Sequence, residues 1–208
     1  MINTNPNNEI CDISHIQGTI TINKYNLIGD VIEFGTFTGG STKTLSSVFP
    51  DKTIFTIDHF QGLEQTNKNV PSDSDWIERA FALDNPLYVD NHNVPKSIDE
   101  VKERFIGHDN IKMIISDVHK LTVPSDYGIS KIAICNIDVD IYEPTVSALE
   151  FLTKCEWSEV FIRFDDWHGG EPEYDQHERL ALSEWIEKYN YKFDITHGGH
   201  IGGVYVKR

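Results

Sequence analysis

The stretch Asp30-Val31-Ile32-Glu33-Phe34-Gly35-Thr36-Phe37-Thr38-Gly39-Gly40-Ser41 decides the reading of the whole chain. Residues 31–34 form a short apolar run. Glycines follow it, and a helical pattern opens at residues 41–49, with Ser41 or Thr42 as its cap. Glycines between a strand and a helix permit a tight turn and let a ligand approach the backbone at the helix start. Pro50-Asp51 ends the helix. The next strand is predicted at 53–57 and closes on Asp58.

The same alternation continues outward. Residues 61–93 are long, polar and punctuated by prolines, with an aromatic or helical patch at 76–83. A loop of that length in a compact domain usually serves function. A helix is predicted at 97–105, with Ser97 and Glu100 spaced as a capping box. Strands follow at 111–116, ending at Asp117, and at 129–137, ending at Asp138. Residues 144–155 read as a helix with Pro144 in its first turn. A fifth strand at 159–164 ends at Asp165-Asp166. Leu180, Leu182, Trp185 and Ile186 give 176–189 a helical period. The tail, 191–196 and 203–206, reads as a terminal hairpin. Repeated β-α units closed by a hairpin imply an α/β fold, with a mostly parallel sheet and helices on both faces. One domain at 30–208 is expected, preceded by a short segment at 1–29 and carrying a lid insertion at about 61–93.

Composition narrows the function classes. A chain of 208 residues suits one domain. Eighteen Lys and Arg against 33 Asp and Glu leave a net charge of −15, which repels phosphate backbones and speaks against a nucleic-acid partner. Cys11, Cys135 and Cys155 have no paired spacing, so free thiols in a reducing, cytoplasmic setting are expected. No apolar run approaches the ~18 residues of a membrane span. Residues 1–9 lack the basic-then-apolar pattern of a signal peptide.

Ligands of parallel α/β sheets bind at the carboxyl ends of the strands. Glu33, Asp58, Asp117, Asp138 and Asp165-Asp166 all fall at those ends. Aspartate favours turns, which accounts for two or three of these positions but not for the set. Asp58, 25 residues after Glu33 and at the next strand tip, is placed to accept both hydroxyls of a ribose. Asp117 lies where an adenine amine would be accepted. Asp138-Val139-Asp140 and Asp165-Asp166 end neighbouring strands. Carboxylates gathered so closely repel unless a cation neutralises them, and an oxygen-only set suits Mg²⁺, Ca²⁺ or Mn²⁺.

Asp58-His59-Phe60-Gln61-Gly62-Leu63, Asp138-Val139-Asp140-Ile141-Tyr142-Glu143-Pro144-Thr145 and Phe164-Asp165-Asp166-Trp167 resemble the macrocin O-methyltransferase (TylF-like) family, which methylates sugar hydroxyls of antibiotics. The resemblance runs from about Asp30 to the C-terminus. It implies a Rossmann-like class I methyltransferase fold, S-adenosylmethionine as cofactor and Mg²⁺ or another hard divalent cation. It also implies a sugar-like hydroxylated small molecule as acceptor, and a homodimer. Carried over residue by residue, Asp138, Asp165 and Asp166 hold the metal and Asp140 is the general base. Glu33, Gly35, Ser41 and Asp58 surround the methionine and ribose parts of the cofactor, with Asp117 near the adenine. Phe34, Thr36, Gly39 and Asp138 complete the cofactor set. Phe37 stands where the commoner methyltransferase loop has a glycine, and only about thirty residues precede the first predicted strand.

Other features are weighed alongside. His119, His168, His197 and His200 read as ordinary loop residues, with His168 placed to approach an acceptor. Trp76 and Phe81 suit a small lid core better than a sugar contact. The acidic stretch 171–178 reads as a solvated face, with closure over the metal site as the alternative. Rival functions are a nucleotide-sugar glycosyltransferase using Asp138-Val139-Asp140, a nicotinamide oxidoreductase, and a non-catalytic S-adenosylmethionine-binding protein.

Overall fold

Short runs rich in Ile, Val and Phe form the strands, because β-branched and aromatic side chains suit a sheet buried on both faces. The computed structural model describes residues 10–15, 18–23, 28–65, 77–85, 94–167, 177–198 and 201–208. In chain order the elements are β1 (Ile10–His15), β2 (Gly18–Asn23), β3 (Asp30–Phe34), α1 (Gly40–Val48), β4 (Ile54–Asp58), α2 (Ile98–Arg104), β5 (Ile111–Ile115), β6 (Ile132–Ile137), α3 (Tyr142–Lys154), β7 (Glu159–Phe164), α4 (Glu178–Tyr189), β8 (Lys192–Gly198) and β9 (Gly202–Lys207).

Seven strands make one sheet in the order β5-β4-β3-β6-β7-β9-β8. β3 to β7 run parallel, while β9 is antiparallel to both β7 and β8. The chain builds outward from β3 to β5, then returns to the middle and builds the other way from β6. The crevice between the carboxyl ends of β3 and β6 is therefore the topological switch point, where such sheets bind ligands. One sheet face packs Ile32, Phe34, Cys135 and Ile137 against Leu149, Leu152, Leu182 and Trp185 of α3 and α4. The other packs Val31, Ile54 and Phe161 with Leu45 of α1 and Phe49.

Three local features differ from the sequence reading. An antiparallel hairpin, β1–β2, precedes the sheet where no strand was expected; the alternation Thr19-Ile20-Thr21-Ile22 carries its strand propensity. α1 is entered through Gly39 at φ 78°, with no side-chain cap, and Ser41 and Thr42 lie buried within the helix. A Cβ at Gly39 would meet the Phe105 ring at 2.5 Å, so the position admits only glycine. Residues 77–85 form turns rather than a helix. Arg79 and Phe81 take φ values of 65° and 62°, and the segment is tied back by Leu63 N–H to Ala80 O and Arg79 N–H to Leu63 O.

Phe81 packs edge-on against Phe37 at 5.4 Å, so it belongs to a lid core. Phe37 also joins the small cluster of Phe60, Leu83, Val94 and Val101. Trp76, His168, His200 and residues 171–176 lie outside the described residues. Half of the expected capping box of α2 forms: Ser97 Oγ accepts Glu100 N–H, but the Glu100 carboxylate accepts Lys96 N–H rather than that of Ser97. Among the described residues, no helix is long and apolar enough to cross a membrane.

Candidate active site at the switch point

Strand register dictates the floor of the site. Thr56, Glu33, Asn136 and Arg163 occupy matched positions on β4, β3, β6 and β7. All four are buried, and their hydrogen bonds form one row. Glu33 Oε2 accepts from Thr56 at 2.8 Å and from Thr42 of α1, while Oε1 accepts from Asn136 Nδ2 at 3.0 Å. Arg163 then donates to Asn136 Oδ1 at 2.7 Å and to Asp165 Oδ1. Burial raises the Glu33 pKa, and the donors from Thr42, Ser41, Thr56 and Asn136 oppose that rise.

This row shows where two of the expected cofactor residues sit. Glu33 has both oxygens occupied and no exposed surface, so it organises the loop from beneath. Ser41 and Thr42 stay inside α1 because Glu33 needs their hydroxyls as donors. Phe34 points to the opposite face, as strand alternation requires. It packs edge-on against Phe151 at 6.1 Å, and its carbonyl accepts from Asp138 N–H. Its side chain is core.

The loop itself is held by Asp58. Oδ2 accepts the amides of Thr36 and Phe37 at 2.9 and 2.8 Å, and Oδ1 accepts that of Phe60 at 2.6 Å. A carboxylate offers about four acceptor positions, and three of those of Asp58 are taken by backbone amides. Thr36 is buried, with its hydroxyl 2.6 Å from that of Thr56. Gly35 sits at φ 91°, where a Cβ would lie 1.7 Å from the Asp138 carbonyl oxygen. The glycine loop and the Asp138 turn are thus in direct backbone contact.

Asp138, Asp140 and Asp166 form the acidic centre: one carboxylate oxygen from each lies within 4.8 Å of the others. Asp140 takes a left-handed conformation, φ 61°, which aspartate tolerates better than most residues. Burial, reinforced by the charges of Asp165 and Asp166, pushes Asp138 well above the usual carboxylate range. Burial, then Asp166 and Asp138, does the same for Asp140, which also shares a hydrogen bond with Asp166. Asp165, expected as a metal ligand, forms a buried ion pair through Oδ1 with Arg163, two residues earlier on the same strand face. The three oxygens that converge include that of Asp140, expected as the general base.

Farther along the sheet edge, Asp117 caps the 3₁₀ turn Val118–Lys120 through His119 N–H. Burial would raise its pKa, but that hydrogen bond and the ion pair with Lys120 lower it. His119 bridges Ser147 Oγ at 2.7 Å and Glu64 Oε1 at 2.8 Å, pinning the start of the lid segment to α3. The side chain of His197 is not among those described.

Glu178, in the first turn of α4, escapes the sequence reading. It is fully buried, and its Oε2 accepts Asp166 N–H at 3.0 Å. Within the acidic stretch 171–178, this residue is not on a solvated face. Arg163 was overlooked too, although a lone Arg in the apolar run Glu159–Phe164, two residues before an Asp, is a legible signal of a buried pair.

Comparison with known proteins follows from this geometry. The chain matches the macrocin-O-methyltransferase (TylF) family over residues 13–195. It resembles the O-methyltransferase NovP at 24% identity, covering 88% of this chain and 73% of that one, with a TM-score of 0.59. The calicheamicin methyltransferase CalS11 aligns at 20% identity over 88% and 75%, with a TM-score of 0.65; CalS11 is a TDP-rhamnose 3′-O-methyltransferase. A SAM-dependent methyltransferase from Aquifex aeolicus aligns at 15% identity over 86% and 81%, with a TM-score of 0.52. No curated protein matches in sequence. The fold is the class I methyltransferase fold expected from the sequence. The matched family is one of methyltransferases, which displaces the glycosyltransferase and nicotinamide readings.

Proposed function

Since the chain belongs to the macrocin O-methyltransferase (TylF) family, a family of S-adenosylmethionine-dependent enzymes, we propose that it methylates a hydroxyl of a sugar or sugar-like small molecule with the aid of a hard divalent cation. The observation that carries this reading is the contact between Gly35 and the Asp138 carbonyl. It brings the glycine loop against a cluster of three carboxylates, so a cofactor on the loop and a cation on the carboxylates would share one crevice. CalS11, which acts on TDP-rhamnose, supports a sugar acceptor. The free, buried thiols of Cys135 and Cys155 support a reducing, cytoplasmic setting.

The donor set fits a hard cation: it is made of oxygens alone, without sulfur or imidazole. Asp138 and Asp166 would hold the cation, with Asp140 beside them. When bound, such a cation lowers the pKa of a hydroxyl and offsets the negative charge gathered there. The loop fits S-adenosylmethionine, which supplies an electrophilic methyl group. Gly35 and Gly39 keep the backbone bare, and Asp58 fixes the amides of Thr36 and Phe37 while leaving one acceptor position for a ribose hydroxyl.

Asp140 takes the proton from the acceptor hydroxyl. Its burial among like charges, which raises its proton affinity, suits it to that task. The remaining contribution of the protein is placement, holding the acceptor in line with the methyl group.

Calorimetric titration with S-adenosylmethionine, with and without Mg²⁺, tests this against UDP-glucose and NAD as controls. A panel of nucleotide sugars and glycosides is then assayed for methyl transfer with and without EDTA. Micromolar S-adenosylmethionine binding and EDTA-sensitive methylation of a sugar hydroxyl are expected. Metal-dependent UDP-glucose binding without S-adenosylmethionine binding would overturn the proposal. Tight cofactor binding with no transfer to any acceptor would point to the non-catalytic alternative.

A further inference from the structure

Asp165 follows β7 directly and, with its neighbour Asp166, would ordinarily face the same cation. In this chain its Oδ1 is taken by the guanidinium of Arg163. The side chains of the two are 1% and 5% exposed, so the pair is shut away from water. The trio whose oxygens converge is Asp138, Asp140 and Asp166. Asp165 is turned toward the polar row under the sheet, where Arg163 also holds Asn136.

A fourth carboxylate reaches the site from another element. Glu178 begins α4 and has no exposed surface. Its Oε2 receives the amide of Asp166 at 3.0 Å, which fixes the carboxylate against the Asp165-Asp166 turn. Its Oε1 is buried and has no hydrogen-bond partner among the described residues. A buried carboxylate oxygen without a protein donor is completed by a water, a cation or a proton. After burial, the main influences raising the Glu178 pKa are the charges of Asp166, Asp138 and Asp165, which places the carboxylate in the same electrostatic centre.

We infer that Glu178 supports the cation site through Oε1 across one bound water, from just outside the trio whose oxygens converge within 4.8 Å. This deepens the proposed function and rests on its cation. The arrangement also gives α4 a part in the site, since its first turn both clamps the Asp166 backbone and supplies a charge.

The test is Mn²⁺ affinity, read from the electron paramagnetic resonance signal of the free ion, for the wild type, Glu178→Gln and Asp165→Asn. Glu178→Gln keeps the acceptor for Asp166 N–H and the side-chain shape while removing the charge. Its Mn²⁺ affinity is expected to fall about 10- to 100-fold, the usual effect of losing a group that supports a metal site. Asp165→Asn is expected to change it less than about threefold. Should Glu178→Gln lose its near-ultraviolet circular dichroism, Glu178→Asp is read instead; it keeps the charge but withdraws the oxygens by one methylene, and the same direction of loss is expected. Wild-type binding that Glu178→Gln retains, or a large loss confined to Asp165→Asn, overturns this assignment alone. Failure of the wild type to bind Mn²⁺ overturns the cation of the proposed function and this assignment with it.

Discussion

Replacing Arg163 with methionine tests whether the buried row beneath the site is held by charge. Methionine fills much of the arginine stem but offers no donor. The substitution leaves Asp165, 5% exposed in its side chain, as a buried carboxylate stripped of its counterion. It also leaves Asn136 Oδ1 without the donor now 2.7 Å away. Removing one member of a buried ion pair costs about 3–5 kcal/mol. A value near 4 kcal/mol corresponds to roughly 8–16 °C in melting temperature for a chain of this size. The double variant Arg163→Met/Asp165→Asn removes the orphaned charge and should recover at least half of the loss, because a buried pair replaced by neutral groups is often close to neutral in stability. Urea unfolding in EDTA at neutral pH, followed by circular dichroism, supplies the free energies. A loss below about 1 kcal/mol for the single variant, or a double variant no better than the single, would refute the reasoning. Either result would mean that Asp165 finds compensation elsewhere.

Three further outcomes are expected. Asp140→Asn should retain S-adenosylmethionine binding by calorimetry while turnover falls about 10²- to 10⁴-fold; unchanged turnover removes Asp140 as the base. Asp58→Asn turns an amide donor toward the three backbone amides that the carboxylate now accepts. A loss of about 1–3 kcal/mol should weaken S-adenosylmethionine binding roughly 5- to 150-fold, and a change smaller than twofold would contradict the stapling role. Asp138, Asp140 and Glu178 all have pKa values raised above the usual carboxylate range. The folded metal-free protein therefore holds protons that the unfolded chain has lost, so its stability falls as pH rises from the ordinary carboxylate range toward the raised folded values. Melting temperatures in EDTA should fall as pH rises above the unperturbed carboxylate range. Saturating Mg²⁺ should abolish the drop, and a metal-free protein that gains stability over that window would sink the argument.

Much of the fold was legible because the strands are apolar runs that end on acids. The run at 159–164 matches β7, and the terminal hairpin falls where the alternation of residues 191–206 put it. Local signals failed where a tertiary demand overrode them. Ser41 and Thr42 have the chemistry of helix caps, yet the buried Glu33 recruits their side chains and Gly39 makes the turn instead. The acids at strand tips were found, but their division of labour was hidden. Which of Asp165 and Asp140 joins the trio depends on Arg163 lying on the same strand face as Asp165, and on the left-handed turn at Asp140. Glu178 was legible only as a member of an acidic stretch. No sequence spacing announces that the first turn of α4 packs onto the end of β7.

The same arithmetic of alternation explains why the site carries so much negative charge and still folds. Side chains two apart on a strand share a face. The buried row of Thr56, Glu33, Asn136 and Arg163 therefore lies directly beneath Asp58, Gly35, Asp138 and Asp165, each two residues farther along its strand. The ladder continues into that upper layer, through Gly35 N–H to Ile57 O, Asp138 N–H to Phe34 O and Asp165 N–H to Ile137 O. The lower layer is closed to water and balanced: the negative charge of Glu33 and the positive charge of Arg163 are joined through Asn136. The upper layer is unbalanced. Asp58 satisfies its charge with backbone amides, and Asp165 borrows Arg163 from below. Asp138 has no such donor in the layer beneath it, where Asn136 is already engaged with Glu33 and Arg163. Joined by Asp140 and Asp166, it gathers three acidic groups at one point of the crevice, beside the glycine loop. Arg163, the one buried arginine among the described residues, pairs with Asp165, so within these two layers the trio has no basic side chain of its own, in keeping with the cation proposed for it.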